Sequence, residues 1–181
     1  MPFDLQPSIQ NQWIKLEPLE PGDFDALYSA ASDPKIWEQH PNKDRYQRDV
    51  FANYFKGAIE SGGAFRVIDG ATGSLIGSSR YYDFDEAGRT IAIGYTFIVR
   101  DHWGGLYNRA LKTLMLDHAF KFVDRIIFHV GVDNLRSRKA MEKIGGVCVG
   151  EMSMAYYGEP SRQNVVFEID RARWANSSTP R

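Results

Sequence analysis

The spacing of apolar residues in the first third of the chain predicts one strand followed by two helices. Residues 13–16 form a short apolar run typical of a strand, and the segment from Pro18 to Gly22 would end it. Beyond Asp23, apolar residues recur at helical spacing as far as Asp33-Pro34. The same spacing recurs from Arg48 to Ser61, where a following Gly-Gly pair predicts the end of the helix.

The middle of the chain predicts an antiparallel meander. Strand-like runs occupy Phe65–Ile68, Leu75–Tyr82 and Thr90–Val99. Turn-forming residues separate these runs at 69–73 and at 86–88. Because both connections are short, each strand is expected to pair antiparallel with the next.

The remaining segments alternate between helices and strands. They are a helix from Asn108 to Phe122, an apolar strand from Ile126 to Val132, a helix from Asn134 to Ile144, and strands near 147–152 and 165–170. The whole pattern predicts a mixed α/β (α+β) fold. We expect a mostly antiparallel central sheet of about seven strands, flanked by about four helices.

Length and composition favour a single domain over residues 1–181. Of the 181 residues, 43% are hydrophobic and 25% are charged, so the chain can bury enough apolar surface to offset its conformational entropy. No internal repeat or low-complexity tract divides it. We expect the core to cover about 12–170, and Arg171 to Arg181 to form a loose polar tail.

Charge and cysteine content exclude several classes of protein. The 22 Lys and Arg residues balance 23 Asp and Glu residues, so there is no global basic field to hold a nucleic acid or an anionic membrane. The N-terminus lacks a basic region followed by an apolar core, so we expect a soluble cytoplasmic protein. Cys148, the single cysteine, excludes an internal disulfide and a cysteine zinc site, and its apolar neighbours predict that it is buried.

The segment from Val99 to Asn108 joins a predicted strand directly to a helix and contains Gly104 and Gly105. Bare N–H groups at such a helix entrance can bind a phosphate. An ordinary connection that uses glycine for its backbone freedom is an equally good interpretation. The glycine fingerprint of dinucleotide folds and the Walker motif are both absent, which counts against a nucleotide hydrolase.

A second polar cluster opens the helix that follows the apolar strand. Asn134 is well placed to cap this helix. Arg136, Arg138 and Lys139 follow in the first turn, where cations oppose the helix dipole. They form either an ordinary solvated face or part of an anion site, because a bound anion would relieve that mismatch.

Four short motifs carry a family resemblance. They are Ile93-Gly94-Tyr95, Trp103-Gly104-Gly105-Leu106-Tyr107-Asn108, Asn134-Leu135-Arg136-Ser137 and Glu142-Lys143-Ile144-Gly145. Together with the order of strands and helices, they resemble the GNAT superfamily of N-acetyltransferases over residues 12–170. The likeness is strongest to the branch of ribosomal-protein N-terminal (alanine) acetyltransferases.

The resemblance implies that acetyl-CoA binds, without a metal, where the strands 90–99 and 126–132 splay apart. The pantetheine arm would pair with the backbone of the first strand, and the pyrophosphate would rest on N–H groups of the glycine loop. The implied cofactor-binding residues are Phe97, Ile98, Val99, Trp103, Gly104, Gly105, Leu106, Tyr107, Asn108, Asn134 and Arg138.

The acid and base often found in this family are missing from the chain. Ala92 stands where a glutamate is usual, and Met141 stands where a tyrosine is usual. The glycine loop also departs from the family pattern at Asp101 and Leu106. The implied catalytic residues are therefore Asn134, which would orient the thioester, Ser137, which would protonate the leaving sulfur, and Tyr156 and Tyr157 on the acceptor side. For Ser137, a local backbone hydrogen bond is the competing interpretation.

The connection between the first two helices is expected to help shape the acceptor pocket, as it does in the family. Its candidate contacts are Trp37, Glu38 and His40, which mix aromatic and polar groups. A loop clipped to the core by Trp37 is the competing interpretation. For His102 and His118 we favour surface or packing roles.

These features predict an acetyl-CoA-dependent N-acetyltransferase in which an amine attacks the thioester directly in a ternary complex. The acceptor is expected to be an α-amino group of a peptide, protein or small metabolite. Such a group has a pKa of about 8 and needs less help from a base than a lysine or polyamine nitrogen of pKa about 10.4. A CoA-binding sensor or interaction protein without turnover and a nucleotide-binding regulator are the alternatives. We expect a monomer or homodimer that binds neither nucleic acid nor membrane.

Overall fold

The computed structural model describes residues 2–155 and 157–177, which form a sheet flanked by helices. The strands are β1 (Ile9–Gln10), β2 (Ile14–Pro18), β3 (Ala64–Asp69), β4 (Leu75–Asp85), β5 (Thr90–Ile98), β6 (Arg125–Gly131), β7 (Val147–Ala155) and β8 (Ser161–Asp170). They pair in the order β1-β2-β3-β4-β5-β6-β8-β7. Within the described residues only β5 and β6 pair in parallel, so the sheet is mostly antiparallel.

Helices cover both faces of the sheet. They are α1 (Phe24–Ala31), α2 (Arg48–Ser61), α3 (Tyr107–Ala119), α4 (Leu135–Lys143) and α5 (Arg171–Asn176). Leu27 of α1 and Phe51 of α2 belong to one buried cluster, together with Phe97 of β5. Leu111 of α3 belongs to a second cluster, together with Ile93 of β5. The two clusters place α1 and α2 on one face of β5 and α3 on the other.

The centre of the sheet opens into a wedge. β5 and β6 pair over three residues and separate after Ala92 and Ile127. On the other edge of β5, Tyr95 and Thr96 both stand opposite Ser79 of β4, which makes a β-bulge. Tyr95 adopts a φ of +54°, which is a strained conformation for a residue with a side chain. The bulge bends β5 and helps to hold it apart from β6.

The fold predicted from the sequence is confirmed, with differences at its ends. The helix predicted from Arg48 to Ser61 has those bounds. β1 was not expected, because a strand of two residues is too short to show an alternation of apolar and polar positions. The loose tail expected from Arg171 is wrong for residues 171–176, which form α5. Trp174 anchors this helix, because its buried indole donates a hydrogen bond of 2.7 Å to Asp117 Oδ1.

Cys148 was expected to be buried, and this is wrong. It lies exposed on β7, the last strand of the sheet, where its neighbours Val147 and Val149 are also exposed. An apolar run predicts burial only where another layer covers the strand, and β7 is exposed along nearly its whole length. Separately, none of the helices in the described part of the chain is long and apolar enough to cross a membrane.

Candidate active site

A cleft of about 550 Å³ occupies the wedge between β5 and β6. The second half of β5, the loop before α3 and the first turns of α4 form most of its walls. Eight of the residues implied for the cofactor line this cleft: Phe97, Ile98, Trp103, Gly104, Gly105, Leu106, Asn108 and Asn134. The fold therefore brings together residues from three separate stretches of the chain.

Three other residues implied for the cofactor, Val99, Tyr107 and Arg138, do not line the cleft, and each makes a hydrogen bond to the protein. The hydrogen bonds run from Val99 N to Ile76 O (2.8 Å), from Tyr107 Oη to Asp69 Oδ1 (3.1 Å) and from Arg138 Nη1 to Val132 O (2.8 Å). These contacts hold the end of β5, the start of α3 and the turn before α4 in place.

The cleft is strongly basic, although the chain as a whole carries a net charge of −1. Among the described residues that line it there is no Asp or Glu, whereas five are Lys or Arg: Arg109, Lys112, Arg136, Lys139 and Lys143. Basic residues focused in a concave site attract an anionic ligand. The sequence had suggested an anion site at Arg136 and Lys139, but it did not indicate the basic residues of α3.

The glycine loop enters α3 in an open conformation. Gly104 has a φ of +72°, and a Cβ built at Gly105 would meet no atom within 4 Å. Trp103 fixes the loop, because its indole donates to Ile98 O at 2.7 Å and the Arg136 guanidinium lies 3.9 Å from its ring. The backbone before α3 is thus accessible and held in place, as an anion site at a helix N-terminus requires.

The backbone of β5 offers a hydrogen-bond donor to the wedge. Val99 N donates to Ile76 O, and successive residues of an antiparallel strand point their N–H groups to opposite sides. The N–H of Ile98 therefore points away from β4 and towards β6. Because β6 pairs with β5 only as far as Ile127, this N–H faces the open cleft.

The start of α4 places Asn134 and Ser137 at the cleft. Asn134 is buried and caps the helix, because its Oδ1 accepts a hydrogen bond of 3.2 Å from Ser137 N. The other polar atom of its side chain, the amide nitrogen Nδ2, can donate a hydrogen bond to a ligand. Met141 also lines the cleft, and its thioether offers no proton to a leaving group.

Lys112 of α3 is a buried base that the sequence analysis missed. Its side chain is only 4% exposed, and its Nζ lies 2.8 Å from Thr96 Oγ1 of β5 and 5.5 Å from the ring of Phe128 on β6. Burial lowers the pKa of Lys112 from its ordinary value of 10.5 to about 7. In the sequence this lysine resembles any polar residue of an amphipathic helix, so no local signal distinguishes it.

The segment between α1 and α2 forms part of the cleft wall, on the side of the sheet that α1 and α2 cover. Trp37 is buried and lines the cleft, and its indole also donates to Ala31 O at 2.8 Å, so it clips the loop to the core as well. His40 lines the cleft too. Burial, with Arg45 and Arg136 nearby, holds the pKa of His40 well below its usual value. Glu38 faces a second cavity of about 340 Å³ instead.

A buried ion pair attaches the β7–β8 loop to this wall. The guanidinium of Arg45 binds both carboxylate oxygens of Glu159, with two contacts of 2.8 Å. The side chains are 1% and 4% exposed. Arg45 also lies 5.0 Å from the ring of Tyr54. The pair therefore fixes this wall of the cleft while neutralising its own charge.

Tyr157, one of the two tyrosines implied as catalytic, comes from the same loop. Tyr156 lies outside the described residues. Tyr157 lies outside the cleft, because it is 42% exposed and its Cβ packs against α2 at Gly57, with Lys56 Nζ 5.7 Å from its ring. The structure therefore does not bring Tyr157 into the catalytic set implied by the resemblance.

Tyr82 and His129 form a further pair in the cleft that the sequence analysis missed. Tyr82 Oη lies 2.7 Å from His129 Nδ1, across β5 at Gly94. Burial lowers the pKa of His129, with Asp83 acting in the opposite direction. His129 lies within the run from Ile126 to Val132, which the sequence analysis interpreted only as an apolar strand, so its position in the cleft was not expected.

The other two histidines differ in position. His118 is buried on α3, and its Nε2 lies 2.7 Å from Asp4 O, so the expected packing role is consistent with its contacts. His102 lines the cleft and lies 3.8 Å from Asp69 Oδ2. Within the described residues, no group of three or more His, Cys, Asp or Glu side chains could hold a metal ion.

Comparison with known families identifies the class of protein. The family model described as the acetyltransferase (GNAT) domain matches residues 14–147, which include the meander, the glycine loop and α4. The chain belongs to this family. It is an acetyl-CoA-dependent N-acetyltransferase.

Solved structures share the fold over nearly the whole chain. A GCN5-related N-acetyltransferase from Brucella melitensis is similar with a TM-score of 0.79 and 22% identity, over 96% of this chain and 83% of that one. The Vibrio cholerae spermidine N-acetyltransferase, solved with CoA and spermine, has a TM-score of 0.69 and 22% identity, over 92% and 100%. Mycobacterium smegmatis RimJ, solved with CoA-disulfide, has a TM-score of 0.70 and 19% identity, over 91% and 85%. A search of curated protein sequences found no match.

Proposed function

We propose that this protein transfers the acetyl group of acetyl-CoA to an α-amino group of a peptide, protein or small metabolite. The observation that carries the proposal is the wedge itself. Among its described lining residues five are basic and none is acidic, and an accessible glycine loop stands at one end of it. A polyanionic thioester fits such a site, whereas a polycation does not.

The residues present suit the acetyl donor at three points. The N–H groups that follow Gly104 and the nearby basic side chains would bind the phosphates. The Ile98 N–H would stabilise the oxyanion that develops when the thioester carbon is attacked. Asn134 Nδ2 would orient the donor beside it. Holding amine and thioester together supplies much of the acceleration, about 7 to 11 kcal/mol in favourable cases.

The acceptor side supports an α-amino group over a polyamine. Its buried carboxylate, Glu159, is already paired with Arg45. Arg80 is also buried there, and its guanidinium lies 3.7 Å from the ring of Tyr95. Because Glu159 is neutralised by Arg45, the positive charge of Arg80 would repel a polyamine. An α-amino group is also more easily neutral at pH 7. The similarity to the Vibrio cholerae spermidine enzyme and to Mycobacterium smegmatis RimJ is too distant to decide between acceptors.

The test has two arms. In the first, calorimetric titration compares CoA, ATP and NAD, and only CoA should bind tightly. In the second, release of free CoA thiol is measured with acetyl-CoA and four acceptors: a peptide with a free N-terminus, an amino acid, spermidine, and an N-blocked peptide with an internal lysine. We expect turnover with the first two. CoA binding without any thiol release would support a sensor instead, and turnover confined to the last two would overturn the acceptor class.

A further inference from the structure

The position of the missing glutamate at Ala92 is flanked by two polar side chains from neighbouring strands. Tyr82 of β4 is the direct cross-strand partner of Ala92. Ile127 of β6 is the parallel partner of Ala92, and His129 follows two residues later on the same face. Both Tyr82 and His129 line the cleft. The sequence of neither strand identifies this pair, because Tyr82 and His129 are 47 residues apart in the chain.

Gly94 makes the contact between these two side chains possible. A Cβ built at Gly94 would stand 3.1 Å from Tyr82 Oη, which is tighter than side chains normally allow. With Ala92 and Gly94 on this face, β5 presents only one methyl group between Tyr82 and His129. The Tyr82 hydroxyl therefore crosses β5 and lies 2.7 Å from His129 Nδ1.

We propose that Tyr82 and His129 are the proton-accepting pair of the transfer reaction. The Tyr82 hydroxyl receives a proton from the substrate ammonium group and passes its own proton to His129 Nδ1. This inference rests on the proposed function and replaces the family glutamate with residues of this chain.

The surroundings of His129 suit this role. From β4, the Tyr82 hydroxyl lies 2.7 Å from its Nδ1, and the exposed Asp83 acts at longer range. From β8, the apolar Val166 stands opposite it. From β5, Tyr95 packs against Tyr82 with ring centroids 5.1 Å apart. Burial lowers the pKa of His129 below 6.5, and the charge of Asp83 only partly opposes this. The imidazole is therefore neutral at pH 7 and able to accept a proton.

The reaction balances with this pair as the base. The ammonium group gives one proton to the pair, and the neutral nitrogen forms a C–N bond with the thioester carbon. The C–S bond breaks, and its electron pair goes to sulfur. The second proton lost by nitrogen ends on the CoA thiolate, and the imidazolium returns its proton to water.

The experiment compares the wild type with His129→Gln and Tyr82→Phe in thiol release from acetyl-CoA and the N-terminal peptide. The glutamine amide keeps a hydrogen-bond acceptor for Tyr82 but cannot accept a proton. We expect kcat/KM for the amine to fall on the order of 10²-fold in each variant, with KM for acetyl-CoA unchanged. The acid limb of the pH profile should move from below 6.5 to the pKa of the amine, about 8.

His118→Gln is the matched control, because it makes the same change at a histidine outside the cleft. It should keep the wild-type pH profile. Either cleft variant with an unmoved acid limb and kcat/KM within threefold of the wild type would overturn the proposed pair. If the wild type transfers to no amine, the proposed function fails instead. NMR titration of the imidazoles still tests the pair in that case: a pKa of His129 lowered from that of an ordinary imidazole supports it, and a pKa that is raised overturns it.

Discussion

Lys112 provides a quantitative test of the cleft, because the structure holds a lysine where a charge is costly. The pKa of Lys112 falls from 10.5 to about 7 because the side chain is buried. Between these values the unfolded chain binds a proton that the folded chain has released. The stability contributed by this group therefore rises with pH from about 7 to about 10.5, and its full cost is present below pH 7.

The magnitude follows from the two pKa values. Each pH unit between them corresponds to about 1.4 kcal/mol, so the cost is about 4 kcal/mol at pH 7 and about 1 kcal/mol at pH 10. Replacing Lys112 by Met removes this cost and loses one hydrogen bond to Thr96, worth about 1 kcal/mol. Thr96 Oγ1 keeps its contact with Ser79 Oγ at 2.8 Å. Lys112→Met should therefore stabilise the fold by about 3 kcal/mol at pH 7 and by almost nothing at pH 10.

Urea unfolding of wild type and Lys112→Met at pH 6, 7, 8, 9 and 10 measures this directly. Lys121→Met is the control, because Lys121 follows α3 but is exposed, so its substitution should change stability little at any pH. A gain for Lys112→Met that is independent of pH would refute the argument, since it would arise from packing alone. A loss of stability at pH 7 would refute it as well.

Two further substitutions test the cofactor site. Gly105→Asp should abolish CoA binding in calorimetry without unfolding the protein, because there is room for the side chain and its carboxylate repels a phosphate. The control is Gly22→Asp, at an equally open position in the turn before α1, which should bind CoA normally. Unchanged CoA affinity in Gly105→Asp would contradict the proposed phosphate site. Asn134→Ala should cost about 1 kcal/mol of stability through the lost helix cap and should also lower kcat at least tenfold. The control is Asp170→Ala, which removes the cap of α5, where Oδ1 accepts a hydrogen bond from Arg173 N, and should lower stability alone. Equal effects of the two substitutions on kcat would show that Asn134 only caps its helix.

Local sequence determined the elements of this protein. The apolar spacing from Arg48 to Ser61 is a property of one helix, and the short turns of the meander force antiparallel pairing, so neither depends on the rest of the fold. The glycine loop and the Asn134 cap could be predicted from the sequence for the same reason, because each involves only a few consecutive residues.

Tertiary structure alone decided which polar residues share the cleft. The bulge at Tyr95 and the separation of β5 from β6 create a wedge that places Lys112, Tyr82 and His129 in its walls. Each of these residues lies in an element whose local pattern indicates only an ordinary helix or strand.

Burial was likewise decided by which surfaces other layers cover. Trp174 is buried in an otherwise polar segment because it docks on α3, whereas Cys148 is exposed in an apolar run because β7 is left uncovered along nearly its whole length. The spacing of apolar residues indicates which side of a helix or strand is apolar and is stabilised by burial. Only the packing of distant elements determines whether that side is covered, and whether a charge such as that of Lys112 is enclosed with it.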